Sequence, residues 1–204
     1  MGNFFHRILK LKKIFIMTNR KNSIVGLKVI EPKRFYDERG YFSELHNDRS
    51  LIQQGIDIAF VQDNHSVSFS KNTVRGIHFQ APPNAQDKIV RCGNGSIFDV
   101  AVDIRTGSKT YGCWFGIELS AENGKQLFIP KGFAHGFMTL SDHSEIVYKC
   151  SDFYSPENEG AILWNDSTLG IEWGNLGEPI LNEKDLGATE FRNFKSPFFY
   201  GVNS

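Results

Sequence analysis

The chain has 204 residues, enough for one domain with a sizeable core and short for two complete ones. Its 23 basic residues balance 23 acidic ones, so no overall field draws it to nucleic acid or an anionic membrane, and an anionic ligand needs a local basic pocket. The three cysteines, Cys92, Cys113 and Cys150, lie in apolar stretches without the close spacing of a zinc site or a redox pair, which suits a reducing cytoplasm.

Residues 1–20 read as an N-terminal extension, expected to be poorly ordered, ahead of a single domain over residues 21–204. Between Phe4 and Met17 no apolar run reaches membrane-spanning or signal-peptide length, and Met17 is an alternative start. The competing reading, a short amphipathic membrane anchor, is disfavoured because polar and apolar residues there do not segregate at helical spacing.

From about Ile24 the sequence is a succession of short β-type runs without a long helical pattern. Predicted strands cover residues 60–64, 73–80, 88–92, 96–104, 114–119, 125–129, 136–140 and 145–150. The breaks between them carry Pro82-Pro83, Gly93-Asn94-Gly95, Thr106-Gly107-Ser108 and Pro130-Lys131-Gly132, residues that supply fixed or positive φ angles. Eight or more such strands predict an all-β domain, a closed barrel or a double-sheet jelly roll.

The strand over 96–104 is the most informative. Alternation puts Phe98, Val100, Val102 and Ile104 on one face and Ile97, Asp99, Ala101 and Asp103 on the other. Carboxylates on an otherwise apolar face suit a strand lining a ligand cavity; the plainer reading is that Asp99 or Asp103 sits solvated near a strand end. After residue 164 the spacing of Gly170, Gly174, Gly177, Pro179 and Pro197 predicts an irregular segment with a short helix, and its aromatics are sufficient for it to pack.

Four of the six histidines lie between His65 and His143. His78 shares a strand face with Gln80, and His135 follows the turn at 130–134. A strand histidine among apolar residues is by itself more often structural than catalytic. A jelly-roll metal centre needs three or four converging ligands, and a His-x-His pair is the usual start of one. Position 80 is Gln and position 137 is Phe, so no metal and no other cofactor is expected.

Several segments carry a specific resemblance: Asp37 to Glu44, Phe60 to Ser66, Arg75-Gly76-Ile77-His78-Phe79-Gln80, Lys88 to Cys92, and Phe98 to Arg105. Leu119 to Asn123, Pro130 to Phe137, Tyr148-Lys149 and Trp164-Asn165-Asp166 continue it. In this order and spacing, over about residues 30–186, the chain resembles the dTDP-4-dehydrorhamnose 3,5-epimerase family of cupin-type jelly rolls (double-stranded β-helices). The resemblance implies a metal-independent epimerase acting at C3 and C5 of a nucleoside-diphosphate-linked 4-keto-6-deoxyhexose. It also implies a homodimer with strand contributions between subunits.

Both carbons are α to the C4 ketone. Inversion there needs a base, a partner that orients it, an enolate stabiliser, and an acid facing the base across the sugar. The resemblance assigns these roles to His78, Asp185, Lys88 and Tyr148. Asp185 lies in Asn182-Glu183-Lys184-Asp185, where the family commonly has serine at the first position, and an ordinary turn aspartate is its alternative. Substrate binding is expected from Arg39, Phe42, Glu44, Gln62, Asp63, Asn64, Arg75, His135 and Glu159. Alternation places Arg75 on the face opposite His78, so either Gly76 sits in a bulge or Arg75 reaches a second site across a subunit interface. The alternatives to this function are a mono-epimerase, an epimerase of another sugar nucleotide such as a GDP-linked heptose, a non-catalytic sugar-nucleotide-binding jelly roll, and a metal-dependent cupin enzyme.

Overall fold

Short β-type runs bounded by glycine and proline turns pair into two antiparallel sheets and a separate hairpin. The computed structural model describes residues 16–18, 24–174 and 177–201. In chain order the strands begin with β1 (Ile16–Thr18), β2 (Lys28–Ile30), β3 (Arg34–Asp37) and β4 (Gly40–Ser43), followed by helix α1 (Asp48–Gln53). Strands β5 (Gln62–Ser68), β6 (Val74–Gln80), β7 (Lys88–Asn94), β8 (Ser96–Asp103) and β9 (Trp114–Ser120) come next. They continue with β10 (Gln126–Ile129), β11 (Phe133–Thr139), β12 (Ser144–Cys150) and β13 (Glu159–Ala161), and helix α2 (Glu183–Leu186) closes the series.

One sheet has the order β1-β9-β8-β11-β6-β13 and the other β2-β10-β7-β12-β5, with β3 and β4 paired apart from both. This is the expected all-β jelly roll. Each predicted strand from residue 60 to 150 has a counterpart, with shifted ends: the first runs on to Ser68, and the one predicted at 136–140 begins at Phe133, directly after Gly132. The hairpin, β2, β13 and α1 were not predicted. Asn47 caps α1, its side chain accepting the Ser50 N–H, and Leu51 is the helix's buried residue. Of the N-terminal extension, residues 16–18 pair with the β9 edge, Ile16 opposite Ile117; the remainder lies outside the described residues.

The two faces of β8 explain its composition. Ile97 and Ala101 join Val90, Ile117, Leu127, Phe137 and Ile146 in the core between the sheets. Phe98, Val100 and Val102 point the other way, into a second core closed by Ile162, Leu169, Trp173 and Phe198 of the C-terminal segment. Both faces are therefore buried, and neither carboxylate is solvated. Asp103 accepts hydrogen bonds from Arg105, Ser108 and Thr110 and so holds the following turn. Asp99 meets His135 in the interior. Among the described residues no helix is long and apolar enough to cross a membrane.

Candidate active site

His78 lies on β6 directly opposite His135 of β11. Each imidazole has its own carboxylate: His78 Nε2 is 2.6 Å from Asp185 Oδ1, and His135 Nε2 is 2.8 Å from Asp99 Oδ1. Asp185 is 1% exposed and also accepts the Gly76 N–H at 3.2 Å through Oδ2. It is held there by α2, whose cap residue Asn182 accepts the Asp185 N–H at 2.7 Å. Asparagine does the capping work of the serine common in the family, so that departure leaves the Asp185 geometry intact. Burial tends to raise the Asp185 pKa, but the His78 hydrogen bond and charge, with the Gly76 N–H, outweigh it and hold the carboxyl below its ordinary range.

Lys88 and Tyr148 come from β7 and β12 of the opposite sheet, the Lys88 ammonium 5.8 Å from the centre of the Tyr148 ring. Burial pushes the Lys88 pKa below that of an ordinary lysine, against the opposing influence of Cys150, Glu159 and Asp99. Burial pushes the Tyr148 phenol up; Cys150 adds to the shift and Arg75 opposes it. These residues share one cleft with two lobes. A lobe of about 280 Å³ is lined by His78, Lys88 and Tyr148 together with Gln62, Asn64, Tyr154 and Glu159. A lobe of about 170 Å³ is lined by the same three with Arg75, His135 and Asp185.

The bulge, rather than a reach across an interface, resolves the Arg75 parity. Register slips between His135 and Phe137, so Gly76 and Ile77 face Gly136 alone and Arg75 returns to the cleft side. Gly76 has φ +119°, and a Cβ there would stand 2.6 Å from Gly136 Cα and 2.8 Å from His135 O. Both obstacles are backbone. We expect Gly76→Ala to lose roughly 2–4 kcal/mol of stability, from strain and from the displaced β6–β11 pairing. Urea unfolding of the two proteins checks this, and a loss under about 0.5 kcal/mol rejects it.

Not every expected residue reaches the cleft. Alternation on β5 sends Gln62 and Asn64 inward and Asp63 to the opposite face, where it pairs with Lys149 at 2.8 Å. Asp63 is thus no cleft residue of its own chain, because it sits one position out of phase. Arg39 sits at the turn of the β3–β4 hairpin, bound to Asp37 at 2.6 Å, and Phe42 is 69% exposed. Glu44 lines a separate depression beside α1. Within one chain the fold does not bring Arg39, Phe42 or Glu44 to His78, since their hairpin pairs with neither sheet.

Among the residues that escaped the sequence reading, Tyr154 and Lys184 converge on Glu159. Tyr154 lines the larger lobe and donates its hydroxyl to Glu159 at 2.8 Å, while Lys184, next to Asp185, binds the same Glu159 oxygen at 2.6 Å. Burial tends to raise the Glu159 pKa, but these two partners outweigh it and the net shift is downward. No three His, Cys, Asp or Glu side chains converge in a metal-binding group among the described residues.

Fold and cleft together define a jelly-roll isomerase of the epimerase class. Residues 21–193 match the family described as dTDP-4-dehydrorhamnose 3,5-epimerase. The enzyme of that name from Salmonella typhimurium is 53% identical over 169 residues, 82% of this chain and 92% of its own. The crystal structure of dTDP-6-deoxy-D-glucose-3,5-epimerase from Legionella pneumophila, in complex with dTDP-4-keto-L-rhamnose, superposes with a TM-score of 0.82 at 43% identity, covering 89% of this chain and 95% of that one. A 3'-monoepimerase from Streptomyces bikiniensis, in complex with dTDP-quinovose, gives a TM-score of 0.78 at 33% identity over 83% of this chain and 85% of that one. The chain belongs to the dTDP-4-dehydrorhamnose 3,5-epimerase family.

Proposed function

We propose that the chain converts dTDP-4-keto-6-deoxyglucose to dTDP-4-keto-L-rhamnose by inverting C3 and C5 in turn. The observation that carries this reading is the placement of His78, paired with Asp185 of α2, on one sheet and of Lys88 with Tyr148 on the other, facing one cleft. A sugar ring lying between the sheets then meets an imidazole on one face and a phenol on the other. Asp185 occupies one ring nitrogen of His78, leaving the second to take the proton from C3 or C5. The electron pair of the broken C–H bond moves onto the C4 oxygen, where the Lys88 ammonium stabilises the enolate. Tyr148 returns a proton from the opposite face, the enolate collapses to the ketone, and the configuration is inverted. His78 then loses its proton to solvent, and the Tyr148 phenolate regains one from solvent, before the next carbon reacts.

Turnover of dTDP-4-keto-6-deoxyglucose in deuterated water is expected to place solvent deuterium at both C3 and C5, at an unchanged rate after exhaustive chelation. Label at one carbon only makes the enzyme a mono-epimerase like the Streptomyces relative. An absence of label with dTDP and GDP sugars alike leaves a non-catalytic binder, and loss of activity on chelation points to a metal.

The reading includes a homodimer. Arg39 and Phe42 lie on a hairpin whose aromatic residues Phe35, Tyr36, Tyr41 and Phe42 are each more than half exposed, an apolar surface that suits burial against a second copy. We place this hairpin over the partner's cleft, where Arg39 supplies a cation for the diphosphate. Mixing inactive Arg39→Ala and His78→Ala proteins after subunit exchange then restores about a quarter of wild-type activity, because half the dimers are mixed and each holds one intact site. Sites completed within one chain recover nothing. Residues 21–204 act as one catalytic domain in this reading, and the free thiols of Cys92, Cys113 and Cys150 suit the cytoplasm.

A further inference from the structure

Between β12 and the turn at Pro156–Asn158 the chain crosses the mouth of the larger lobe without regular structure, yet its backbone is tightly held. Gln80 of β6 donates from Nε2 to the Phe153 carbonyl at 2.9 Å and to the Asn84 carbonyl, and its Oε1 accepts the Ser155 N–H at 2.9 Å. Gln62 of β5 accepts the intervening Tyr154 N–H at 3.0 Å through Oε1, while its Nε2 donates to Asn64 Oδ1 at 3.0 Å. The two glutamines come from different sheets, so together they grip residues 153–155 from both walls of the cleft.

Gln80 is 5% exposed, and both its N–H groups and its oxygen are committed to main-chain partners. It lines the cleft yet has no donor to offer a substrate. Gln62, expected from sequence to bind substrate, likewise spends its oxygen on the Tyr154 backbone. Held between them, the Tyr154 ring stands 57% exposed at the cleft mouth, with its hydroxyl on Glu159. A half-exposed ring fixed at both ends is a flat contact for a ligand entering the larger lobe, and its value depends on being held in place before binding.

We propose that Gln80 and Gln62 are positioning residues that set the affinity for the nucleoside-diphosphate sugar through Tyr154, without taking part in proton transfer. The proposal rests on the sugar-nucleotide reading of this same cleft. It predicts a particular division of the kinetic loss, since an immobilised contact that neither gives nor takes a proton contributes to binding more than to chemistry. It also predicts that the two glutamines lose their effect once the ring they hold has been removed.

Gln80→Leu, Gln62→Leu, Tyr154→Ala and the double variant Gln80→Leu/Tyr154→Ala, each as the whole chain, are compared in initial rates and in dTDP binding by calorimetry. Both leucine variants are expected to raise KM and the dTDP dissociation constant about tenfold while kcat falls less than about threefold, and the double variant is no worse than Tyr154→Ala. If Gln80→Leu does not fold, Gln62→Leu carries the same comparison from the half-buried wall. Additive effects in the double variant, or a loss confined to kcat, overturn the clamp. Wild-type turnover with KM and dTDP affinity unchanged in both leucine variants overturns the clamp alone. A wild-type protein that neither binds dTDP nor turns over its 4-keto sugar overturns the functional reading and the clamp with it.

Discussion

Replacing His78 by alanine is expected to abolish deuterium incorporation at C3 and C5 together and to lower kcat by about a thousandfold or more, within the range that a positioned general base supplies. Both carbons flank the same C4 ketone, so one base reaches each after a modest shift of the ring, and loss of that base is felt at both. Asp185 strengthens the case. A buried carboxylate 2.6 Å from one ring nitrogen fixes the imidazole's orientation and stabilises the imidazolium that forms when the proton arrives. The measurement is proton NMR of substrate in deuterated water with catalytic and stoichiometric enzyme, the second arm exposing slow single turnovers. Persisting label at both carbons transfers the role to His135, the cross-strand neighbour with a carboxylate of its own. Persisting label at one carbon divides the task between the two histidines.

The strands of the two walls were legible because period-two patterning identifies them, whereas the roles of His78, Lys88 and Tyr148 on those strands came from the family resemblance. The pairing of the strands brings β6, β7, β11 and β12 around one interior. The same periodicity separates Gln62 and Asn64 from Asp63, which is why Asp63 belongs on the outer face. Other features left no periodic trace. Helix α1 has six residues, less than two turns, so its only local mark was the cap at Asn47. The hairpin β3–β4 is exposed on both faces, and its aromatics do not alternate with polar residues as a half-buried strand's do. Every residue of β11 is buried, which erases the alternation that would fix its start; Gly132 marks it instead. Tyr154 and Lys184 sit outside the strands, so their approach to Glu159 depends on long-range contacts that no local pattern encodes. Asp99 stood out as a carboxylate on an apolar face, yet it neither lines the cleft nor meets solvent; the pairing of β8 with β11 buries it against His135.

Tyr148→Phe separates two steps that His78→Ala removes together. Exchange on the His78 face needs the base, the enolate stabiliser and time for the imidazolium to trade its proton with solvent; inversion needs a proton from the other face as well. The phenylalanine variant is therefore expected to keep washing solvent deuterium into substrate while inversion falls by about a hundredfold to a thousandfold. Burial holds the Tyr148 phenol above its ordinary value, so it carries its proton in the resting site and gives it up only to a strong base such as the enolate. Lys88 is the rival donor: its ammonium is close to the Tyr148 ring, and a lowered pKa makes it a stronger acid than a solvated lysine. Quantifying recovered substrate and product by NMR decides between them. Equal loss of exchange and inversion places Tyr148 in the first proton transfer, and undiminished inversion removes it as the acid in favour of Lys88. Retained exchange with lost inversion leaves the phenol of β12 as the proton source opposite the imidazole of β6, the division of labour that the two facing sheets set up.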